Sequence, residues 1–141
     1  MNLQLITLLG LKMDDDVYEV ILPTASGPIA VYPGHEALVT LAVAGDIRVR
    51  RQKFDKDDLL EHFATGGGVA EIDNKRVRIL VDDAESPDEI VEEEARAALE
   101  RAEKLRAEAK DQVDIEHAQQ MIDRHAVRLK VAEFKRRRYK G

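Results

Sequence analysis

Short apolar runs separated by turn residues fill the first part of the chain, residues 1–86. In the clearest example, Val77, Ile79 and Val81 share one face of the run 76–81, and the turn 73–75 joins this run to 69–72 as a hairpin. The other runs that predict strands are 3–9, 17–22, 29–32, 37–44, 46–50 and 59–63, and the acidic residues 14–16 are predicted to form a turn. Many short strands at this spacing are typical of a small β-sandwich or barrel.

Two strong turn signals enclose the apolar run 29–32. The first is Ser26-Gly27-Pro28 and the second is Pro33-Gly34, followed by His35. Glycine reaches positive φ without steric strain and proline presets its own φ, so both clusters favour chain reversals. The pattern therefore predicts a tight strand-turn-strand unit with His35 at its tip, where contacts with partners are commonly placed.

The pattern changes to a helical period after residue 86. Ser86-Pro87 with Glu89 is typical of a helix start with a capping box, and the first helix is predicted to end near Lys110, with Asp111 or Asp114 capping the second. Apolar residues then recur at spacings of three and four along two stripes. These stripes are 91, 95, 98, 102, 105 and 109 on the first helix and 115, 118, 122, 125, 129 and 132 on the second. The short connection predicts an antiparallel two-helix hairpin.

Charge is arranged unevenly along this predicted hairpin. Acidic residues crowd the start of the first helix, and basic residues crowd the end of the second. In an antiparallel pair the two clusters would lie side by side, but exposed ion pairs contribute only about 0–1 kcal/mol each and are screened by salt. The first stripe is mostly alanine and offers little apolar area. We therefore expect a weakly held hairpin that is able to open.

Composition divides the chain at the same place. All glycines except Gly141 and all prolines except Pro87 precede residue 87, and residues 1–86 carry the whole net charge of -6. This break predicts two domains, 1–86 and 87–141. The negative charge argues against nucleic-acid binding, and the absence of cysteine excludes disulfides and thiolate metal sites. No apolar stretch approaches a membrane span, so we expect no direct membrane insertion.

No catalytic or metal-binding constellation is apparent. The run Gly66-Gly67-Gly68 lacks the helix and the Lys-Ser/Thr pair of a phosphate loop, so a bulge or a close backbone approach is expected there. No two histidines have the i, i+4 spacing of a helical metal site. His62 and His117 are interpreted as surface residues and His125 as a partly buried residue of the packing stripe.

The turn region resembles the epsilon subunit of F-type ATP synthases. The matching positions are Leu22-Pro23-Thr24, Gly27, Val31-Tyr32-Pro33-Gly34-His35 and Leu38. Pro28 stands where that family usually has an acidic residue, and Ala37 where it usually has proline. The order of domains also matches, since in that family a β-sandwich precedes a two-helix domain rich in Ala, Glu, Lys and Arg.

The resemblance implies a rotor subunit of the central stalk that does no chemistry itself. Its sandwich would join the gamma subunit to the membrane rotor ring, with Pro33, Gly34 and His35 at the contact. A turn histidine bonded only to local backbone is the alternative for His35. The implied location is peripheral, on the cytoplasmic face of a bacterial plasma membrane.

The same resemblance implies a regulatory role for the helices. Folded against the sandwich, the hairpin would permit turnover; extended along gamma, it would reach acidic segments of the catalytic beta subunits and inhibit ATP hydrolysis. The basic end implicated in this inhibition comprises Arg128, Lys130, Lys135, Arg136, Arg137 and Arg138.

Some epsilon subunits bind ATP between the helices through an I/L-D-x-x-R-A motif. This chain keeps Ile90 and Ala95 but has Val91 for the aspartate and Glu94 for the arginine. Arg124 and Arg128 match basic positions of the second helix and are the candidate nucleotide contacts, because phosphates need cations; a solvated or ion-paired face is the alternative. No cofactor is expected to be required. A free-standing ATP sensor and a helical adaptor protein remain rival functions.

Overall fold

A β-sandwich followed by two helices is the architecture observed in the computed structural model, which describes the backbone of residues 1–140 and the side chains of residues 1–135. The strands are β1 (Asn2–Thr7), β2 (Gly10–Asp16), β3 (Glu19–Leu22), β4 (Ile29–Val31), β5 (Leu38–Ala42), β6 (Gly45–Arg50), β7 (Glu61–Thr65), β8 (Gly68–Ile72) and β9 (Arg76–Val81). The helices are α1 (Glu92–Glu108) and α2 (Gln112–Lys140). The predicted fold class, strands first and a helical hairpin after them, is confirmed.

The strands form two sheets. One has the order β2-β1-β9-β8-β5 and the other has the order β4-β3-β6-β7. All pairs are antiparallel except β1 with β9, which are parallel. The inward residues of alternating strands, among them Leu5, Val20, Ile47, Val77 and Ile79, are fully buried and form a continuous core between the sheets.

Two strand predictions were wrong in detail. Residues 14–16 are not a turn but belong to β2, an edge strand that pairs only with β1. Its inward residue Met13 is buried while the three aspartates are exposed, and charged residues are tolerated on an exposed edge. The run 59–63 begins with a single 3₁₀ turn, Asp57–Leu59, so β7 starts only at Glu61.

The helix start was also misplaced. Ser86 and Glu89 do form the predicted capping box, but it closes a 3₁₀ turn, Pro87–Glu89, and α1 begins only at Glu92. Ile90 lies between the two elements in extended conformation and is 1 % exposed, so its burial holds the chain away from a continuous helix. Asp111 caps α2, because its Oδ1 accepts from the backbone N–H of Asp114 at 2.8 Å.

The triple glycine has the close backbone approach expected from the sequence. Gly68 pairs with Val81, and a Cβ added to Gly68 would lie 2.1 Å from the carbonyl O of Leu80. At Gly66 the nearest atom to such a Cβ is Cδ of Arg124, at 3.8 Å. The first position excludes a side chain, whereas the second has room for one.

We therefore predict that Gly68→Ala lowers the free energy of unfolding by about 1–3 kcal/mol, because the sheet must shift to accept the methyl group. Gly66→Ala is the matched control and should change it by less than about 0.5 kcal/mol. Urea unfolding followed by circular dichroism measures both. Equal stability of the two variants would contradict the packing described for Gly68.

Candidate functional site

The helical hairpin docks on the outer face of the four-stranded sheet through a small apolar patch. Ala64 from β7, Ile90, Ala95 from α1, and Val131 and Ala132 from α2 are all buried there. Most of these side chains are small, so the patch removes little apolar area from water. The docking of α2 therefore depends on further contacts around this patch. We call the patch and these surrounding contacts together the docking interface.

Two arginines of α2 provide such contacts. Arg124 pairs with Asp83, and Nε of Arg128 lies 2.7 Å from Oε1 of Glu85, while its Nη2 donates to Oε2 at 3.2 Å. Asp83 and Glu85 belong to the segment between β9 and the helices, so both ion pairs fasten α2 to the sandwich side. Arg128 and Glu85 keep only 17 % and 22 % of their side-chain exposure, and Arg124 keeps 46 %. The Arg128 pair is therefore the less screened of the two.

His125 adjoins this second ion pair. Its Nδ1 accepts a hydrogen bond from Nη1 of Arg128 at 3.2 Å, and the ring is half-buried. Burial lowers the pKa of His125, and Arg128, Arg124 and Arg101 lower it further, whereas Glu85 opposes them. The expected partly buried, hydrogen-bonded imidazole is present.

His62 is not a surface residue, contrary to the sequence interpretation. It is 7 % exposed, its Nδ1 lies 2.7 Å from Oδ2 of Asp46, and its ring stacks on Phe134 of α2 with centroids 3.6 Å apart and an angle of 9° between the planes. The outward face of β7 is buried because α2 covers it, a contact that the strand pattern alone does not reveal. His117, by contrast, is exposed as expected.

The candidate nucleotide residues Arg124 and Arg128 both lie near His125, as Arg101 of α1 does, but each of the two already pairs with a carboxylate. Val91 precedes α1 and is 51 % exposed, and Glu94 is exposed in the first turn of α1. Arg124 and Arg128 contact carboxylates of the sandwich side. Within the described side chains, no three His, Asp or Glu residues gather as metal ligands would.

The basic end is only partly described. Lys130 is exposed and Lys135 is half-buried. The side chains of Arg136, Arg137 and Arg138 lie outside the described residues, so the predicted alignment of the acidic and basic clusters is not tested at these positions. That alignment stays a prediction.

The Pro33-Gly34-His35 turn forms one end of the sandwich. Gly34 has a φ of 89°, and its N–H donates to the carbonyl O of Asn74 at 3.0 Å, which joins this turn to the β8–β9 turn. Nδ1 of His35 donates to the carbonyl O of Glu36 at 2.7 Å. The local backbone bond expected under the alternative interpretation is thus present, and it fixes the ring without excluding an external contact.

The outer face of the five-stranded sheet carries an apolar row, which we call the outer row. Strand register places five apolar residues side by side across all five strands, in the order Leu11, Ile6, Leu80, Val69 and Leu41. Leu11, Leu80 and Leu41 are 57 %, 41 % and 70 % exposed. A row of this length is more than the scattered apolar residues of an ordinary surface.

Comparison with known proteins identifies the family. Residues 1–87 match the family model described as "ATP synthase, Delta/Epsilon chain, beta-sandwich domain". ATP synthase epsilon chains of Desulforamulus reducens and Herpetosiphon aurantiacus are 32 % and 31 % identical, over 94 % and 97 % of this chain and 96 % and 97 % of theirs. That of Gloeobacter violaceus is 36 % identical over 84 % of this chain and 86 % of its own. The chain belongs to the ATP synthase epsilon family.

Solved structures share the fold of this epsilon-family chain. A chain of the Euglena gracilis mitochondrial ATP synthase structure, described as OSCP/F1/c-ring, has a TM-score of 0.77 at 21 % identity, with 93 % of this chain and 79 % of that chain covered. A chain of the Tetrahymena thermophila central stalk and c-ring structure has a TM-score of 0.62 at 14 % identity, with coverages of 94 % and 96 %. At these identities the likeness shows the fold.

The sequence of this epsilon-family chain did not reveal which residues on the sandwich side contact α2 in the docking interface. Asp83 and Glu85 lie in the acidic segment 82–85 before the helices, and only the placement of α2 reveals them as partners of Arg124 and Arg128. Phe134 gave one usable signal, since it is a large aromatic residue in an otherwise basic helix end. Nothing local indicated that it stacks on His62.

We predict that Phe134→Ala weakens the docking of α2 by about 1 kcal/mol or more, because it removes both the half-buried ring and the stack on His62. Amides of α2 should then exchange with deuterium roughly fivefold faster or more, while those of β1 and β9 stay unchanged. Leu105→Ala is the control, since Leu105 is 49 % exposed on α1. Unchanged exchange in the Phe134 variant would show that the stack does not hold the helix.

Proposed function

We propose that this chain is a non-catalytic rotor subunit of an ATP synthase central stalk, which couples a gamma subunit to the membrane ring. The observation that carries this proposal is the outer row on a sandwich of the epsilon family. An exposed apolar row needs a partner, and related folds occur in structures described as central stalk and c-ring. Because the chain belongs to the epsilon family, we propose the gamma subunit as the partner that covers the outer row.

The two faces of the sandwich are used differently. The outer face of the four-stranded sheet is covered by α2, against which α1 packs, whereas the outer row lies on the opposite sheet, away from the hairpin. Gamma can therefore bind the outer row whether the hairpin is docked or open. This separation supports a sandwich that stays attached to the stalk while the helices move.

The Pro33-Gly34-His35 turn is the proposed ring contact. It lies beside the β8–β9 turn at the end of the sandwich opposite the β1–β2 turn, as the backbone bond of Gly34 to Asn74 and the β1 register show. Pro28 replaces the acidic residue usual in the family, so the contact here depends on turn shape and on His35 rather than on a carboxylate at that position.

We predict that Leu80→Glu weakens binding to the gamma subunit at least about tenfold, because a carboxylate at the centre of the outer row would be buried without a partner. Leu80 points away from the core, so the sandwich should still fold. Phe54→Asp is the control, since Phe54 is 88 % exposed in the β6–β7 connection. Titration of purified gamma measures both variants, and undiminished binding by the Leu80 variant would exclude the outer row as the interface.

We further propose that the hairpin inhibits ATP hydrolysis when it leaves the sandwich. Support comes from the small apolar patch and the two partly exposed ion pairs, which make docking reversible at modest free energy. The arginines released on opening, together with Lys130 and Lys135, would then be available to acidic segments of the catalytic beta subunits.

A bound nucleotide is not needed in this scheme. Arg124 and Arg128 already contact Asp83 and Glu85, so an ATP phosphate would have to displace these carboxylates. Glu94 adds a further negative charge at the start of α1. We therefore favour inhibition of ATP hydrolysis by the position and charge of the released hairpin over the ATP-sensor alternative.

The proposed location is the membrane surface that carries the rotor ring. Neither described helix has the combination of length and apolar character needed to span a bilayer. Attachment to the membrane would then be indirect, through the ring contact. In a bacterial cell this is the cytoplasmic face of the plasma membrane.

We predict that truncation after Ser86 leaves assembly with gamma intact and raises ATP hydrolysis by the reconstituted complex. The sandwich core ends at Ala84, so removal of the helices takes nothing from it. Co-purification with gamma measures assembly, and phosphate release measures hydrolysis, with the full-length chain as control. Unchanged hydrolysis would contradict the inhibitory role, and failed assembly would contradict the coupling role of the sandwich.

A further inference from the structure

His125 links the titration of one side chain to the docking interface. Its Nδ1 accepts from Nη1 of Arg128, and an arginine side chain has only donors. The lone pair on Nδ1 must therefore be free of a proton, which fixes the neutral ring with its proton on Nε2. The bond exists only while the imidazole is neutral.

Arg128 connects the protonation state of His125 to the sandwich side. The same guanidinium that donates to His125 also contacts both carboxylate oxygens of Glu85, at 2.7 Å and 3.2 Å. His125 on α2 thus positions Arg128 for its pairing with Glu85. Loss of the acceptor at Nδ1 removes one of the two contacts that hold the guanidinium in place.

The charges facing His125 disfavour a proton on the ring. Arg124 and Arg128 approach from its own helix, Arg101 from α1, and Glu85 from the segment before the helices. Arg124 is itself paired with Asp83. Three guanidinium groups therefore surround the half-buried ring, and only two carboxylates, Glu85 and the Asp83 that pairs with Arg124, oppose them among the residues named here.

We propose that His125 is an acid-operated release for the hairpin: protonation at Nδ1 expels the Arg128 donor, adds a fourth positive charge, and shifts α2 away from the sandwich. The proposal deepens the proposed function, since it assumes a hairpin that opens. One proton from solvent is bound for each hairpin released, and no covalent bond is made or broken. Acidification is thereby coupled to the position of the helices.

The sign of the pH dependence follows from the pKa of His125. Burial and the arginines lower this pKa in the docked state, whereas in the open hairpin the ring is solvated and its pKa returns toward the ordinary value of about 6.5. Docking is then fully supported above the open-state pKa and weakens as the pH falls through it toward the docked-state pKa. Binding of a single proton limits the change to about tenfold in the ratio of open to docked chains per pH unit.

The test uses the full-length chain and hydrogen exchange of α2 amides, corrected for the intrinsic pH dependence of exchange by the amides of β1. Between about pH 7.5 and 5.5 we expect the open fraction of α2 to rise severalfold in the unmodified chain. His125→Asn keeps a neutral acceptor near the Nδ1 position and should remove most of this rise. His117→Asn, on the exposed face of the same helix, should keep it.

The outcomes separate this proposal from the one it rests on. A pH-independent open fraction, or an equal rise in the His125 variant, overturns the release. If the helix nevertheless opens at about 1 M salt, the proposal of a movable hairpin is retained and only its release by acid is rejected. If it opens under neither condition, the movable hairpin itself fails. Nitrogen chemical shifts of the His125 ring add a direct readout, since the proposal requires the Nε2–H tautomer at neutral pH and a pKa of His125 below its ordinary value.

Discussion

The docking interface between α2 and the sandwich holds the helical hairpin against the strands. Its apolar part consists mostly of small side chains, so it cannot hold the helix by burial alone. The pairs of Arg124 with Asp83 and Arg128 with Glu85 supply the remainder, together with the stack of Phe134 on His62. An interface of this composition is specific in geometry and modest in free energy, which suits an element that moves.

In the proposed function, the two outer faces of the sandwich separate permanent attachment from reversible regulation. Its core is closed between the two sheets and, among the described side chains, takes none from α1 or α2. The outer row belongs to one sheet and the docking interface to the other, so a partner on the first face does not compete with the helices on the second. Under the proposed function, the sandwich would stay bound to its partner while the helices change position.

The sequence predicted what depends on local pattern and missed what depends on packing between distant segments. Alternation in 76–81, the Pro33-Gly34 turn and the stripes of the helices were sufficient for the fold class. The capping box at Ser86 was recognised, yet burial of Ile90 limits it to one 3₁₀ turn. His62 read as a surface residue because strand alternation assigns only one face to the core, and α2 covers the other. Arg124 and Arg128 were found as cations, but their partners were visible only in three dimensions.

Reversible, ion-paired docking of α2 is tested most directly by measuring the distance between the sandwich and α2 in solution. Because the chain has no cysteine, Lys56→Cys and Gln120→Cys at two exposed positions would carry two spin labels without competing sites. Pulsed electron resonance should show a single docked distance at low salt and a second, open population that grows as salt approaches about 1 M, where ion pairs are screened. A single unchanged distance at every salt concentration would contradict an ion-paired, reversible docking interface.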